Sequence, residues 1–233
     1  MNRDPASPLL PDLSGQYSTI LADPPWQFLN RTGKMAPEHK RLHRYHTMKT
    51  PEICALPVAR HAQSNSHLYL WVPNALLQDG LAVMKAWGFQ YKSNIVWYKI
   101  RKDGGPDGRG VGFYFRNVTE LILFGIRGKM RTLKPGRTQV NILRTRKQEH
   151  SRKPDEFYDL IEACSPGPYL ELFARNKRPG WTQWGDQIDD YETTRIERKG
   201  YSRPRSTHAL DTPSIFDPTI QSAAGVNGIL SSS

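Results

Sequence analysis

Cysteine is scarce: the 233 residues hold two, Cys54 and Cys164. They stand far apart and form no CxxC pair, which argues against a zinc ribbon or a disulfide framework and leaves them as small core residues. Long apolar runs are lacking too. None approaches the roughly 18 residues of a membrane span, and the opening stretch MNRDPASPLLPDLSGQ has no apolar signal-peptide core. A cytoplasmic chain with no membrane partner is the expectation. Acidic residues are outnumbered, 22 Asp and Glu against 33 Lys and Arg, giving a net charge of +11 and a pI near 9.7. Such an excess suits a polyanionic partner. There is no glycine-rich GxGxxG turn near the N-terminus and no internal repeat. With 37% hydrophobic residues and a mean hydropathy of −0.64, the chain can form one domain with a core plus loops or tails.

The basic residues are concentrated. Between Arg127 and Lys153 lie Arg131, Lys134, Arg137, Arg144, Arg146, Lys147 and Arg152, and Glu149 is the only acid of that stretch. Lys and Arg supply most of the non-specific affinity for phosphate backbones, so Arg144, Arg146 and Lys147 are candidate nucleic-acid contacts. The competing reading is a solvated basic face. His39, His43 and His46 have a metal-like spacing, but Lys and Arg surround them, and no metal is expected.

Strand-like and helix-like segments alternate. STILA (18–22), HLYLWV (67–72), FQYKSNIVWYK (89–99), ELILFGI (120–126), QVNIL (139–143) and YLELFA (169–174) read as strands. Thr50-Pro51-Glu52 opens a helix with a capping Thr and Pro at the first helical position. Asn74 caps a second helix that runs through Gly80 and ends at Gly88, and PDEFYDLIEAC (154–164) forms a third. KDGGPDGRGVG (102–112) reads as a glycine-rich loop. The alternation predicts an α/β fold with a mostly parallel sheet and helices on both faces. Residues 1–16 read as an irregular lead-in, 17–190 as the folded domain and 191–233 as a tail.

The stretch ILADPPWQF (20–28) carries the chemistry. In an open α/β sheet, ligands sit beyond the carboxyl ends of the strands, and Asp23 stands at such an end. Pro24 and Pro25 cannot continue the ladder and stiffen the turn. Asp23 and the Pro24 carbonyl make two adjacent acceptors, and Trp26 adds a flat ring. That set suits an exocyclic amino group on a nucleobase. A purely structural Asp-Pro-Pro turn is the alternative.

DPPW resembles the motif of the amino-group methyltransferases of nucleic acids, and more narrowly that of the MT-A-seventy family. The resemblance spans about residues 17–188 through ILADPPW, LYLWV (68–72), IVWYK (95–99), VTELILFG (118–125), SRKPDEFYDLIE (151–162) and LELFARNKRPGWTQWGDQ (170–187). It implies a Rossmann-like methyltransferase fold with a permuted motif order, in which the catalytic motif comes first and much of the cofactor site last. It implies S-adenosyl-L-methionine as cofactor and the N6 amine of adenine as target, with DNA ahead of RNA. An RNA enzyme, a non-catalytic nucleic-acid-binding subunit and, more weakly, a cytosine-N4 enzyme are the alternatives. A homodimer or a partner subunit stays open.

By the same resemblance Asp23, Pro24, Pro25 and Trp26 are the catalytic group, Asp23 also lying near the cofactor's ammonium. Lys153 falls near the methionine carboxylate with Ser151 beside it, Arg175 at the ribose, and Asp186 and Gln187 near the cofactor adenine. Asn176 substitutes for a ribose-binding Asn whose own position is Arg178 here, and Glu171 is a cofactor contact or structural. Tyr45 matches a family aromatic that lines the base pocket. Asn117 and Glu120 are candidate substrate contacts by position alone, just before a strand and so at the active-site side or at its opposite end.

Overall fold

In a computed structural model the described residues are 13, 15–27, 47–107, 114–146 and 153–185. They form a seven-stranded sheet. Its strands are β1 (Tyr17–Ala22), β2 (Ala62–Val72), β3 (Gln90–Ile100), β4 (Thr119–Arg127), β5 (Ile142–Arg146), β6 (Tyr169–Leu172) and β7 (Trp181–Trp184), in the order β5-β3-β4-β2-β1-β6-β7. β4 runs antiparallel to both its neighbours, whereas every other pairing is parallel. Six strands therefore point one way, and the expected mostly parallel sheet is borne out.

Alternation along each strand sorts side chains to the two faces. Ile20, Leu68, Leu70, Val72, Leu123, Leu170 and Leu172 face one layer with Ile53, Val83, Met84 and Trp87. The first helix, α1 (Thr50–Cys54), and the second, α2 (Leu77–Ala86), cover that side. Leu21, Tyr69, Trp71, Ile95, Trp97 and Ile122 face the other layer, where they meet Phe157, Tyr158, Leu160 and Ile161 of α3 (Asp155–Cys164). All six residues of β1 are buried, so the strand carrying the DPPW turn is central. Gly80 lets α2 lie close on β2, since a Cβ there would stand 2.6 Å from a Val72 methyl.

Several local expectations need correction. Lys49, not Thr50, is the N-cap of α1; Glu52 accepts from the Lys49 N–H at 2.6 Å and the Thr50 hydroxyl instead donates to Asp79 of α2 at 2.7 Å. Asn74 opens a 3-10 turn (Asn74–Leu76) rather than capping α2 directly, and its Nδ2 donates to the Thr119 carbonyl at 3.2 Å. β5 is shifted three residues toward the C-terminus from QVNIL, and β7 had no counterpart in the sequence reading. Residues 191–233 and the three closely spaced histidines lie outside the described residues. Among the described residues no helix is long and apolar enough to cross a membrane.

Candidate functional site

Asp23 sits one residue beyond the end of β1, and its N–H donates to the Leu172 carbonyl of β6 at 3.4 Å. The DPPW turn is pinned on both sides. The Trp26 N–H donates to the Pro24 carbonyl at 2.8 Å and the Met48 N–H to the Pro25 carbonyl at 2.8 Å. The Pro24 carbonyl is thus engaged on one lone pair and keeps a second. The Trp26 indole is 6% exposed, within the core layer of Leu70 and Val72, and its Nε1–H donates to the Trp71 carbonyl at 2.9 Å. The flat Trp26 ring, expected to pack on the target base, is in the structure the buried anchor of the turn.

Beside Asp23 lies a buried charge network. Lys153 Nζ stands 3.3 Å from an Asp23 carboxylate oxygen and 3.4 Å from Glu171. Lys153 and Glu171 are 6% and 1% exposed. Tyr158 donates to Glu171 at 2.9 Å, and Gln183 donates to its other oxygen at 2.7 Å and to the Asn176 carbonyl at 2.6 Å. Burial, and then the charge of Glu171, push the Tyr158 hydroxyl well above its ordinary pKa, so it stays a donor. A lysine just before a helix N-terminus meets an unfavourable dipole; the two carboxylates are what hold Lys153 there.

The strands explain how residues distant in sequence meet. β6 pairs in parallel with β1, with Leu172 opposite Ala22, so Glu171 of the LELFA segment arrives next to the DPPW turn. Phe173 then takes a left-handed backbone, φ 62°, and the chain turns so that the Ala174 N–H donates to the Trp184 carbonyl of β7 at 2.8 Å. A bulky residue in that region is strained and is held only by its surroundings. Arg175 and Asn176 follow directly. Arg178 is committed elsewhere: it pairs with Glu162 at 2.9 Å and Asp159 at 2.8 Å and lies over the Tyr158 ring. That agrees with leaving it out of the cofactor set.

The remaining predicted residues fall in three places. Because β4 is reversed, its N-terminal Glu120 lies at the carboxyl edge of the other strands. There Glu120 accepts from the Trp71 indole and from Lys99. Asn117 is exposed nearby, with its side-chain oxygen 3.5 Å from Asn74 Nδ2. Arg144 and Arg146 are exposed on the edge strand β5, and each donates to the loop after β3, at Gly104 O (2.7 Å) and Lys102 O (3.2 Å). They brace that loop as well as carrying charge. Tyr45, Lys147, Ser151, Asp186 and Gln187 lie outside the described residues.

Three network members escaped the sequence reading: Tyr158, Gln183 and Lys99. A tyrosine on the apolar stripe of α3 was a usable signal, since a buried hydroxyl needs a partner. Gln183 gave none, because WTQW was not recognised as a strand.

A family profile described as MT-A70 matches residues 17–187. Similar proteins include a "Type II methyltransferase M.MunI" of Mycoplasma sp, 28% identical over 207 residues, covering 80% of this chain and 84% of that one. A "Putative N(6)-adenosine-methyltransferase MT-A70-like" of Medicago truncatula is 31% identical over 181 residues, 76% of this chain and 27% of that one. Human "N(6)-adenosine-methyltransferase catalytic subunit METTL3" is 28% identical over 179 residues, 75% of this chain and 29% of that one. The chain therefore spans less than a third of the length of the plant and human relatives and most of the Mycoplasma one.

Proposed function

The chain belongs to the MT-A70 family, and on that premise we propose that it transfers a methyl group from S-adenosylmethionine to the N6 amine of adenine in nucleic acid, DNA ahead of RNA. The observation that carries the reading is the placement of Asp23: a carboxylate beyond the end of a central buried strand, beside the buried Lys153 at 3.3 Å. The chain covers 84% of the type II methyltransferase and less than a third of the adenosine-named relatives, which supports reading it as a compact enzyme of the first kind. The relatives named for adenosine, a ribonucleoside, keep RNA as the second reading.

The described residues fit the cofactor that members of the family use. Its methionine end carries one ammonium and one carboxylate, and the edge offers one carboxylate, Asp23, and one ammonium, Lys153. Glu171 also faces Lys153, so Asp23 is not consumed in neutralising it. Arg175 and Asn176 stand at the turn after β6, where the ribose would lie. When bound, S-adenosylmethionine supplies an electrophilic methyl carbon on a sulfonium.

The adenine amine is a poor nucleophile because its lone pair is delocalised into the ring. Asp23 accepts one of its N–H bonds, and the second lone pair of the Pro24 carbonyl accepts the other. Both acceptors are fixed by the pinned turn, which places the nitrogen for in-line attack. The methylated nitrogen is cationic and acidic and would give up its proton to solvent water, directly or by way of the Asp23 carboxylate, so Asp23 need not be a strong base. Asn117, Glu120 and Tyr45 belong to the base side, Glu120 being held by Trp71 and Lys99. A duplex substrate would have to extrude the adenine. A non-catalytic subunit would have no use for a buried Lys153 facing Asp23.

Nucleoside mass spectrometry after incubation with S-adenosylmethionine and mixed DNA or RNA tests this. N6-methyladenine from DNA, in excess of that from RNA, is expected. Methylated cytosine, or no product from either polymer with a folded protein, overturns it.

A further inference from the structure

The connection from β3 to β4 leaves two aromatic rings in solvent. Tyr114 is 87% and Phe115 84% exposed, and no other large apolar side chain among the described residues exceeds the 49% of Val140. Exposed rings are costly to keep in water unless something covers them in use. Their position is fixed from behind. The Val118 carbonyl accepts from the Lys99 N–H at 2.8 Å, and the Thr119 carbonyl accepts from Asn74 at 3.2 Å. The rings thus project from a firm base, four and five residues ahead of the β4 start.

That base is at the reacting edge. β4 lies two strands from β1, about 10 Å across the sheet, and the four or five residues from Phe115 to Glu120 reach at most about 17 Å further. The tip can therefore stand within a few nucleotides of a base held at Asp23. The same corner is basic. Lys102, Arg116, Arg144 and Arg146 are exposed there, with Arg144 stacked over Tyr98 at 5.9 Å. Asp103 is occupied by Arg101 at 2.8 Å. Flat apolar rings beside cations match a polymer with planar bases and anionic phosphates. Protein interfaces also favour aromatic and Arg side chains, so the choice of a polynucleotide rests on the number of exposed cations and on the closeness of the reacting edge.

Resting on the reading of the site as a nucleic-acid methyltransferase, we infer that Tyr114 and Phe115 form a stacking platform for nucleobases flanking the target adenine, while Arg144, Arg146 and Arg116 carry the adjoining phosphates. Stacking on an aromatic ring is tolerant of sequence and contributes a large share of single-strand affinity. The platform would also hold the strand open after the target base leaves its stack.

The test compares two single-stranded DNA oligonucleotides of equal length, one normal and one with abasic sites around a single adenine, in fluorescence anisotropy titrations across salt. Their phosphate number is the same, so their difference reads stacking alone. Wild-type protein should bind the normal strand about 10- to 100-fold more tightly. Tyr114→Ala/Phe115→Ala should lose most of that difference and keep the salt slope, and Tyr114→Trp/Phe115→Trp should restore it. An unchanged preference in the double alanine variant overturns the platform. So does loss of a self-association seen by sedimentation with the preference intact, which would assign the rings to a second copy of the chain. Because binding is read without turnover, absence of any methylated product would sink the enzymatic reading and leave this comparison to be decided separately.

Discussion

The carboxyl edge of the sheet has two halves that handle charge in opposite ways. At β1 and β6, Lys153 and Glu171 are buried and Asp23 is largely so, and Lys153 faces both carboxylates at 3.3 and 3.4 Å. At β3, β4 and β5, the Lys99–Glu120 pair is half-buried while Arg101, Lys102, Arg144 and Arg146 are exposed. Burying ions costs several kcal/mol each, by order of magnitude, and an ion pair often fails to recover it. A fold would replace such a network with apolar side chains unless the charges did something. Exposed cations cost little, contribute little to stability and suit a polyanion that must arrive and leave. The first half is built to hold a small charged group in one geometry, the second to hold a long one loosely.

Trp71 is where the halves touch. Its carbonyl accepts from Trp26, its indole N–H donates to Glu120, and Lys153 Nζ lies 5.8 Å from its ring centre. The turn carrying Asp23 and the corner carrying Glu120 are therefore fixed to one residue of β2.

The sharpest test of the contrast is Asp23→Ala. Loss of one positioned acceptor should lower methyl transfer about 100- to 1000-fold, with far-UV circular dichroism unchanged because Lys153 keeps Glu171. Tritiated-methyl incorporation at saturating cofactor measures it. Lys153→Ala should instead raise the apparent cofactor constant more than it lowers saturated turnover. Near-normal turnover in a folded Asp23→Ala protein would remove the distinction between the halves at its root.

Glu171→Ala probes burial rather than reaction. It strands the Tyr158 hydroxyl and leaves Lys153 with Asp23 alone. Breaking a buried pair on one side costs roughly 3 kcal/mol or more, read as a lower urea midpoint. Removing Glu120 should cost much less, since its side chain is a third exposed. Equal losses would mean that the two halves are not energetically different.

The sequence made the first half readable and left the second obscure for physical reasons. A strand that ends in Asp-Pro-Pro announces its own boundary, and LELFA and KPDE are short blocks with fixed order. Asp23, Lys153 and Glu171 were named from them and the structure brings all three together. The DPPW turn was legible as a site, but not in full. Its Trp26 could not be read correctly, because whether a ring lies in the core or on a surface depends on Trp71, far away in sequence. β5 was misplaced by three residues because Arg144 and Arg146 break its apolar pattern. Charged side chains are tolerated there because the strand is an edge. β7 escaped because four residues with Thr and Gln inside carry almost no period. The reversal of β4, which moves Glu120 to the reacting edge, is a matter of topology that no local pattern records.

In the exposed half the effect should be smaller and electrostatic. Arg144→Gln/Arg146→Gln removes two cations, so the slope of log affinity against log salt should fall by about 1.4 to 1.8 units if both meet phosphates. A slope that does not move would return these arginines to the role of bracing the loop.

The smallest expected effect lies behind the sheet's working edge, at His67. Its ring is fully buried, with Nδ1 2.7 Å from Ser165 Oγ, which also meets the Tyr69 hydroxyl at 2.7 Å, and Nε2 3.4 Å from the Met130 carbonyl. Burial lowers its pKa below the ordinary 6.5, against the opposing pull of the Met130 carbonyl. The folded state therefore keeps the imidazole neutral where the unfolded chain takes up a proton. Stability is full above the unfolded value and falls as pH drops below it, until the folded histidine also protonates. Stability should therefore be lower at about pH 5.5 than at about pH 7.5 by an amount that this residue contributes. His67→Gln, which can still bond Ser165, should flatten that part of the curve in urea unfolding at the two pH values. Because Asp23 and Lys153 lie at the other end of the strands, cofactor binding at pH 7.5 should be unchanged in the same variant. A pH dependence identical to wild type would mean that His67 is already protonated in the fold and that burial there does not keep it neutral.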